Sequence, residues 1–171
     1  MSIVGEPTPR ERLAHRVRSQ IRRLAVDGFG AHETTAPIGD SGFTRPGLDD
    51  PMAGLRAAVL TRNVAEATIH DSAVDVRAAG RTWDEVAEAL GIEDDDRFAP
   101  RGERAFEEVV GLPDLFALAS VRWTCTTCGR RVSESGPYES HPDDNEHGHD
   151  EVCDRRVRAV AAWRVRAGEG R

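Results

Sequence analysis

The sequence predicts a mainly α protein: a bundle of helices with a small hairpin-plus-helix module appended at the C-terminal end. Three observations carry that expectation. The composition is alanine-rich, with 31% charged and only 5% aromatic residues, which favours helices around a core of small aliphatic side chains. Apolar residues recur at helical spacing behind N-terminal cap signals in several stretches. The three cysteines all fall in the last third of the chain, apart from those helices.

The first helix opens at Thr8-Pro9-Arg10-Glu11, an N-cap, a proline at the first helical position and a capping-box glutamate. Leu13, Val17, Ile21 and Leu24 continue it as one apolar face that ends near Gly28. Arg12, Arg16 and Arg23 line an adjacent stripe, readable either as a solvated helix face or as a surface for nucleic acid or an acidic partner. Residues 28–49 hold five glycines and two prolines with no periodicity and read as a loop or linker.

Asp50-Pro51 opens a second helix by cap and proline. Leu55, Val59, Ile69, Ala73 and Val76 keep to one side of it, and Ser72–Asp75 marks a candidate break near His70. Thr82-Trp-Asp-Glu85 is a stronger capping box, and its short helix runs through Leu90 to a terminating Gly91. An acidic run, Glu93 to Asp96, follows and reads as a solvated turn. The next helix spans about 101–110, with Ala105, Phe106, Val109 and Val110 as its buried side, and Gly111-Leu-Pro113 stops it. Leu115 to Val121 connects to the cysteines. The chain thus divides into an N-terminal helix (1–27), a linker (28–49), a helical domain (50–121) and a C-terminal module (122–171).

Within Gly80–Glu93, Ala87 is a small residue four positions before Gly91, and Val86, Leu90 and Ile92 flank both. This pattern resembles the front half of the helix-turn-helix of bacterial transcription factors, where the small residue sits at the helix crossing and the glycine makes the turn. The resemblance implies a helix-turn-helix-like core and a DNA-binding role, but it covers about a dozen residues and fails in its second half. A recognition helix should present donors to bases and phosphates just after Ile92. Glu93, Asp94, Asp95 and Asp96 would repel phosphate there, and Pro100 and Gly102 oppose a helix.

Cys125-Thr-Thr-Cys128-Gly129 has the form of a zinc knuckle, a tight turn that brings two thiolates to one ion. Trp123 and Val132 suggest the arms of a short hairpin around it. Twenty residues on from Cys128 come His149 and Cys153, four apart. A helix from about 150 to 166 would place that pair on one face, one turn apart. The set Cys125, Cys128, His149 and Cys153 predicts a closed, structural Zn²⁺ site, with His147 and then His141 as rivals for the fourth position. A redox CxxC pair is disfavoured because no βαβ unit surrounds it. On the final helix Cys153, Val157, Val160 and Trp163 follow one face, and Arg155, Arg158 and Arg166 fall together on the other as a second candidate binding surface.

The net charge of −7 argues against coating nucleic acid by bulk charge but leaves room for local basic surfaces. All 23 basic residues are arginine, a mark of a high-GC genome. No apolar run approaches a membrane span and no signal peptide opens the chain, so a cytoplasmic protein is expected. No nucleophilic triad, dinucleotide or phosphate-loop motif is present. The expectation is a non-enzymatic zinc protein, foremost a regulator associated with duplex DNA, with a protein–protein adaptor as the alternative.

Overall fold

A computed structural model describes residues 6–39, 42–95, 99–111, 119–138 and 140–168. It is mainly α: 57% is helical, in six helices with two small sheets among the described residues. Asp96 of the acidic run and most of the Leu115–Val121 connection lie outside the described residues. No described helix is long and apolar enough to cross a membrane. Two compact units are present, Met1–Ala65 and Glu66–Arg171.

In the first unit, helix α1 (Pro9–Phe29) starts as expected: Thr8 accepts from the Glu11 N–H while the Glu11 carboxylate accepts from the Thr8 N–H. Its C-terminal half carries the packing. Ala25 is fully buried with Ala31, Ala53 and Ala57, against Ile21, Leu24, Phe29 and Leu48. Leu13 and Val17, read as part of the same buried face, are exposed.

Residues 28–49 correct the sequence reading. They contain an antiparallel ribbon of β1 (Glu33–Pro37) and β2 (Thr44–Leu48), registered from Glu33↔Leu48 to Pro37↔Thr44. Asp49 closes its open end, its carboxylate accepting from the His32 N–H at 2.7 Å. Both strands are largely exposed. A ribbon that buries neither face needs no alternation of apolar residues, so the period-2 signal was absent.

Helix α2 (Pro51–Ala78) is continuous, about 42 Å long at 1.5 Å per residue. The break near His70 does not occur, because no glycine or proline lies between Gly54 and Gly80 and the Ser72 cap signal is overridden. The apolar side also differs. Ala53, Ala57, Ala73 and Arg77 are its buried positions, and Leu55, Val59, Ile69 and Val76 are exposed.

The second unit is built from the end of α2, from α3 (Trp83–Leu90) and α4 (Arg101–Val110), and from the C-terminal module. Thr82 and Glu85 form the reciprocal capping box, and Gly91 ends α3 at φ 74°. Trp83 meets Phe106 edge-on at 5.1 Å, and Phe106 meets Tyr138 at 6.2 Å. Gly102 keeps this crossing close: a Cβ there would lie 3.3 Å from Trp83 Cβ and 2.9 Å from Asp84 Oδ1, which would have to swing aside. The buried cluster runs from these helices through Val121, Trp123 and Val132 to Cys125 and Cys153.

The module comprises β3 (Val121–Thr124), β4 (Arg131–Glu134), the short α5 (Pro142–Asn145), β5 (Glu146–His147) and α6 (Asp154–Ala167), with strand order β3-β4-β5. Trp123 pairs with Val132 across the hairpin, as the knuckle predicted.

Candidate metal centre

The turn between β3 and β4 is fixed by its backbone. The Gly129 N–H donates to the Cys125 carbonyl at 2.8 Å, and the Cys125 N–H to the Arg130 carbonyl at 2.9 Å. Gly129 holds φ 70°, a left-handed conformation that glycine adopts without a Cβ penalty. Both thiols of Cys125 and Cys128 therefore turn to one side.

The second pair arrives by a different route from the one the spacing suggested. Helix α6 begins at Asp154, not near 150, with Cys153 as its N-cap. His149 lies in the irregular segment between β5 and α6, after Gly148 at φ 102°. That glycine sits against β4: a Cβ would come 2.5 Å from the Arg131 carbonyl oxygen. Gly148→Ala is expected to cost at least about 2 kcal/mol, from left-handed strain plus a backbone clash, and to weaken metal binding together with stability. Chemical denaturation of the metal-loaded protein checks the first effect.

The ligating atoms of Cys125, Cys128, His149 and Cys153 all lie within 4.8 Å of one another. Cys125 Sγ and Cys153 Sγ are 3.9 Å apart, and His149 Nδ1 is 3.7 Å from Cys128 Sγ and 3.6 Å from Cys153 Sγ. The sulfur separation is far beyond a disulfide bond of about 2.05 Å, and all three cysteines are free. The Asp150 N–H aimed at Cys128 lowers that thiol to about 6 against the opposing effect of burial. Burial pushes the Cys153 thiol up. The cluster is compatible with a bound metal ion.

The rival histidines are placed elsewhere. His147 is exposed in β5, opposite Ser133. His141 caps α5, its Nδ1 accepting from the Asp143 N–H, and its ring stacks edge-on against Trp163 at 4.7 Å.

Behind the cluster lies a buried ionic network that the sequence reading did not identify. His149, whose side chain is 2% exposed, turns Nε2 to Glu146 Oε2 at 2.8 Å. The other Glu146 oxygen accepts from Arg77 Nη2 at 2.6 Å and Arg155 Nη2 at 3.0 Å. Burial opposes the charge on Glu146, but Arg155 and Arg77 outweigh it and leave its carboxyl below the usual value. Arg77 also forms a two-point pair with Glu134, Nη2 to Oε1 at 2.7 Å and Nε to Oε2 at 3.1 Å. Glu134 is 1% exposed and accepts from Trp83 Nε1 at 2.7 Å and Trp123 Nε1 at 2.9 Å. One signal pointed there: in β4, Val132 faces the core, so strand alternation turns Glu134 inward as well.

A cleft of about 760 Å³ opens on the far side of this network, with Trp83, Tyr138, Trp163 and Arg166 in its walls.

The arginine surfaces read from the sequence divide. Arg12, Arg16 and Arg23 are exposed on α1, and among the described residues no carboxylate pairs with them. On α6, Arg158 and Arg166 are exposed, but Arg155 is not part of that surface. Its guanidinium lies 4.1 Å above the Trp123 ring, bonded to Glu146 and to the Arg77 carbonyl. The companion apolar face holds at Cys153, Val160 and Trp163, which are buried or half-buried, and fails at Val157, which is exposed.

Comparison with protein-family models, with curated proteins and with solved structures yields no match.

Proposed function

We propose that this chain is a non-enzymatic protein whose second unit is built around a structural zinc ion, and that it serves as a nucleic-acid-associated regulator. The observation that carries the zinc reading is the closed Cys3His set. A tetrahedral ion with Zn–S near 2.3 Å and Zn–N near 2.05 Å requires sulfurs about 3.8 Å apart and sulfur–nitrogen edges of about 3.6 Å. Three of the six edges, at 3.9, 3.7 and 3.6 Å, fit those values, and the whole set lies within 4.8 Å. Thiolates and an imidazole suit zinc over hard cations such as magnesium or calcium. Four protein ligands leave no position for water, so the ion holds structure and performs no hydrolysis.

The nucleic-acid reading is supported by α1, which carries six arginines and two acids in Pro9–Phe29 within a chain of net charge −7. Arg12, Arg16 and Arg23 are its exposed candidates for phosphate contact, with Arg158 and Arg166 on α6. Helix α4 is not proposed as a groove reader: Glu93, Asp94 and Asp95 precede it, and ten residues separate it from α3. The zinc-loaded full chain is expected to retard duplex DNA at low salt. Its binding should fall with a log–log salt slope of about −0.9 per phosphate neutralised. Replacing Arg12, Arg16 and Arg23 with alanine should flatten that slope by roughly 1 per residue. No shift of any duplex at low salt sinks this reading.

The second reading, a protein–protein adaptor, is favoured by the exposed aliphatic residues Leu55, Val59 and Leu60 on α2. It predicts a stable protein partner and an absorbance spectrum free of nucleic acid.

A further inference from the structure

The proposed metal centre has a charged neighbour. Most of its surroundings are apolar, yet its one imidazole is tied to a carboxylate that two arginines hold. We infer that Glu146 is the positioning residue of the metal centre, and that the Glu146–Arg77–Glu134 chain carries metal occupancy to Trp83 and Trp123. This rests on the metal reading of the Cys3His cluster.

The geometry supports each link. His149 points Nδ1 at the sulfurs of Cys128 and Cys153, 3.7 and 3.6 Å away, and Nε2 at Glu146. A neutral imidazole has one N–H. Glu146 accepts that hydrogen at Nε2, which leaves the Nδ1 lone pair for the ion and fixes the plane of the ring. Hydrogen bonding to a carboxylate also makes the ligating nitrogen a stronger donor.

Glu146 cannot rotate away freely, because Arg77 and Arg155 grip its other oxygen. Arg155 is itself stacked on Trp123, and Arg77 lies 5.6 Å from the centre of the Trp83 ring. Arg77 then passes to Glu134, the shared acceptor of both indole N–H groups. Six side chains from α2, α3, β3, β4, β5 and α6 thus form one connected path from the ligand to two aromatic reporters. Withdrawing the ion frees His149 and Glu146, and the Arg77 contacts beneath both rings are lost with them as the second unit loosens.

The test uses the full chain, stripped with chelator and titrated with Zn²⁺ or Co²⁺. Tryptophan emission should change in step with metal uptake in the wild type. Glu146→Ala should bind zinc about 10- to 100-fold more weakly, with an altered Co²⁺ d–d spectrum and a diminished emission change. Glu146→Gln preserves size and guards against a variant that does not fold; its amide N–H₂ would face the arginines, so its affinity should fall as well.

Asp143→Ala is the control for a purely structural effect. It removes the two-point Asp143–Arg156 pair between α5 and α6 without touching His149. It should lower stability slightly and leave zinc affinity and the Co²⁺ spectrum unchanged. Wild-type affinity and spectrum in both Glu146 variants would overturn the inference while leaving the metal centre standing. Absence of metal uptake by the wild type would overturn the metal reading and this inference with it.

Discussion

Glu134→Ala is expected to destabilise the second unit by about 3–5 kcal/mol, the cost of breaking a buried ion pair from one side. The substitution leaves Arg77, 7% exposed at its side chain, as a charge whose two-point partner is gone. It also orphans the indole N–H groups of Trp83 and Trp123, each worth roughly 1–3 kcal/mol when buried without an acceptor. Water entering the space left by the side chain offsets part of that sum. A total stability of about 5–15 kcal/mol is ordinary for a domain, so one substitution removes a large share of it. The matched test is the Arg77→Met, Glu134→Leu double variant, which removes both charges and should cost less than Glu134→Ala. Urea denaturation of the metal-loaded proteins measures both. A loss under about 1 kcal/mol for Glu134→Ala would show that the network contributes little to the fold.

Removing the metal should have the largest effect of all. Structural zinc sites contribute apparent free energies of about 10–16 kcal/mol, at or above the whole stability of a domain this size. Within Glu66–Arg171 the ligands join the β3–β4 turn to the start of α6, and α6 has no buried residue of its own. Chelation is therefore expected to abolish the cooperative thermal transition of the second unit. Cys125→Ser should reduce bound metal from about one equivalent to less than half and give the same loss of cooperativity. Metal analysis of untreated protein and calorimetry with and without chelator read these outcomes. Unaltered melting after complete removal of metal would contradict a structural role.

What was legible in the sequence were features fixed by neighbours in the chain. The capping boxes at Thr8 and Thr82 each need residues three apart, and both form. The Cys-x-x-Cys-Gly turn also closes within five residues. The Cys3His grouping was legible from donor chemistry and spacing, although Cys153 proved to be a helix cap and not a first-turn residue. The Arg77–Glu134 pair was hidden because its members are 57 residues apart. Glu146 was hidden in a different way: among Asp143, Asp144, Asp150 and Glu151 it looked like one more solvated acid. Its burial follows from the β4–β5 pairing of Glu134 with Glu146, which no local pattern announces. The apolar side of α2 was read correctly at Ala73 and misread at Leu55, Val59, Ile69 and Val76, because buried alanines and an arginine, rather than the larger aliphatic residues, define its contact surface.

The two prolines of the β1–β2 ribbon bear on how the chain keeps its own company. The Ile38 N–H to Phe43 carbonyl and Asp49 N–H to His32 carbonyl bonds fix which backbone groups face inward. By alternation, the nitrogens of residues 33, 35 and 37 on one strand, and 44, 46 and 48 on the other, point outward. Pro37 and Pro46 occupy one outward position on each edge, where a donor would otherwise invite a stray strand. An incoming segment would find its ladder interrupted on either side. An exposed two-stranded ribbon is thereby kept from becoming a template for aggregation.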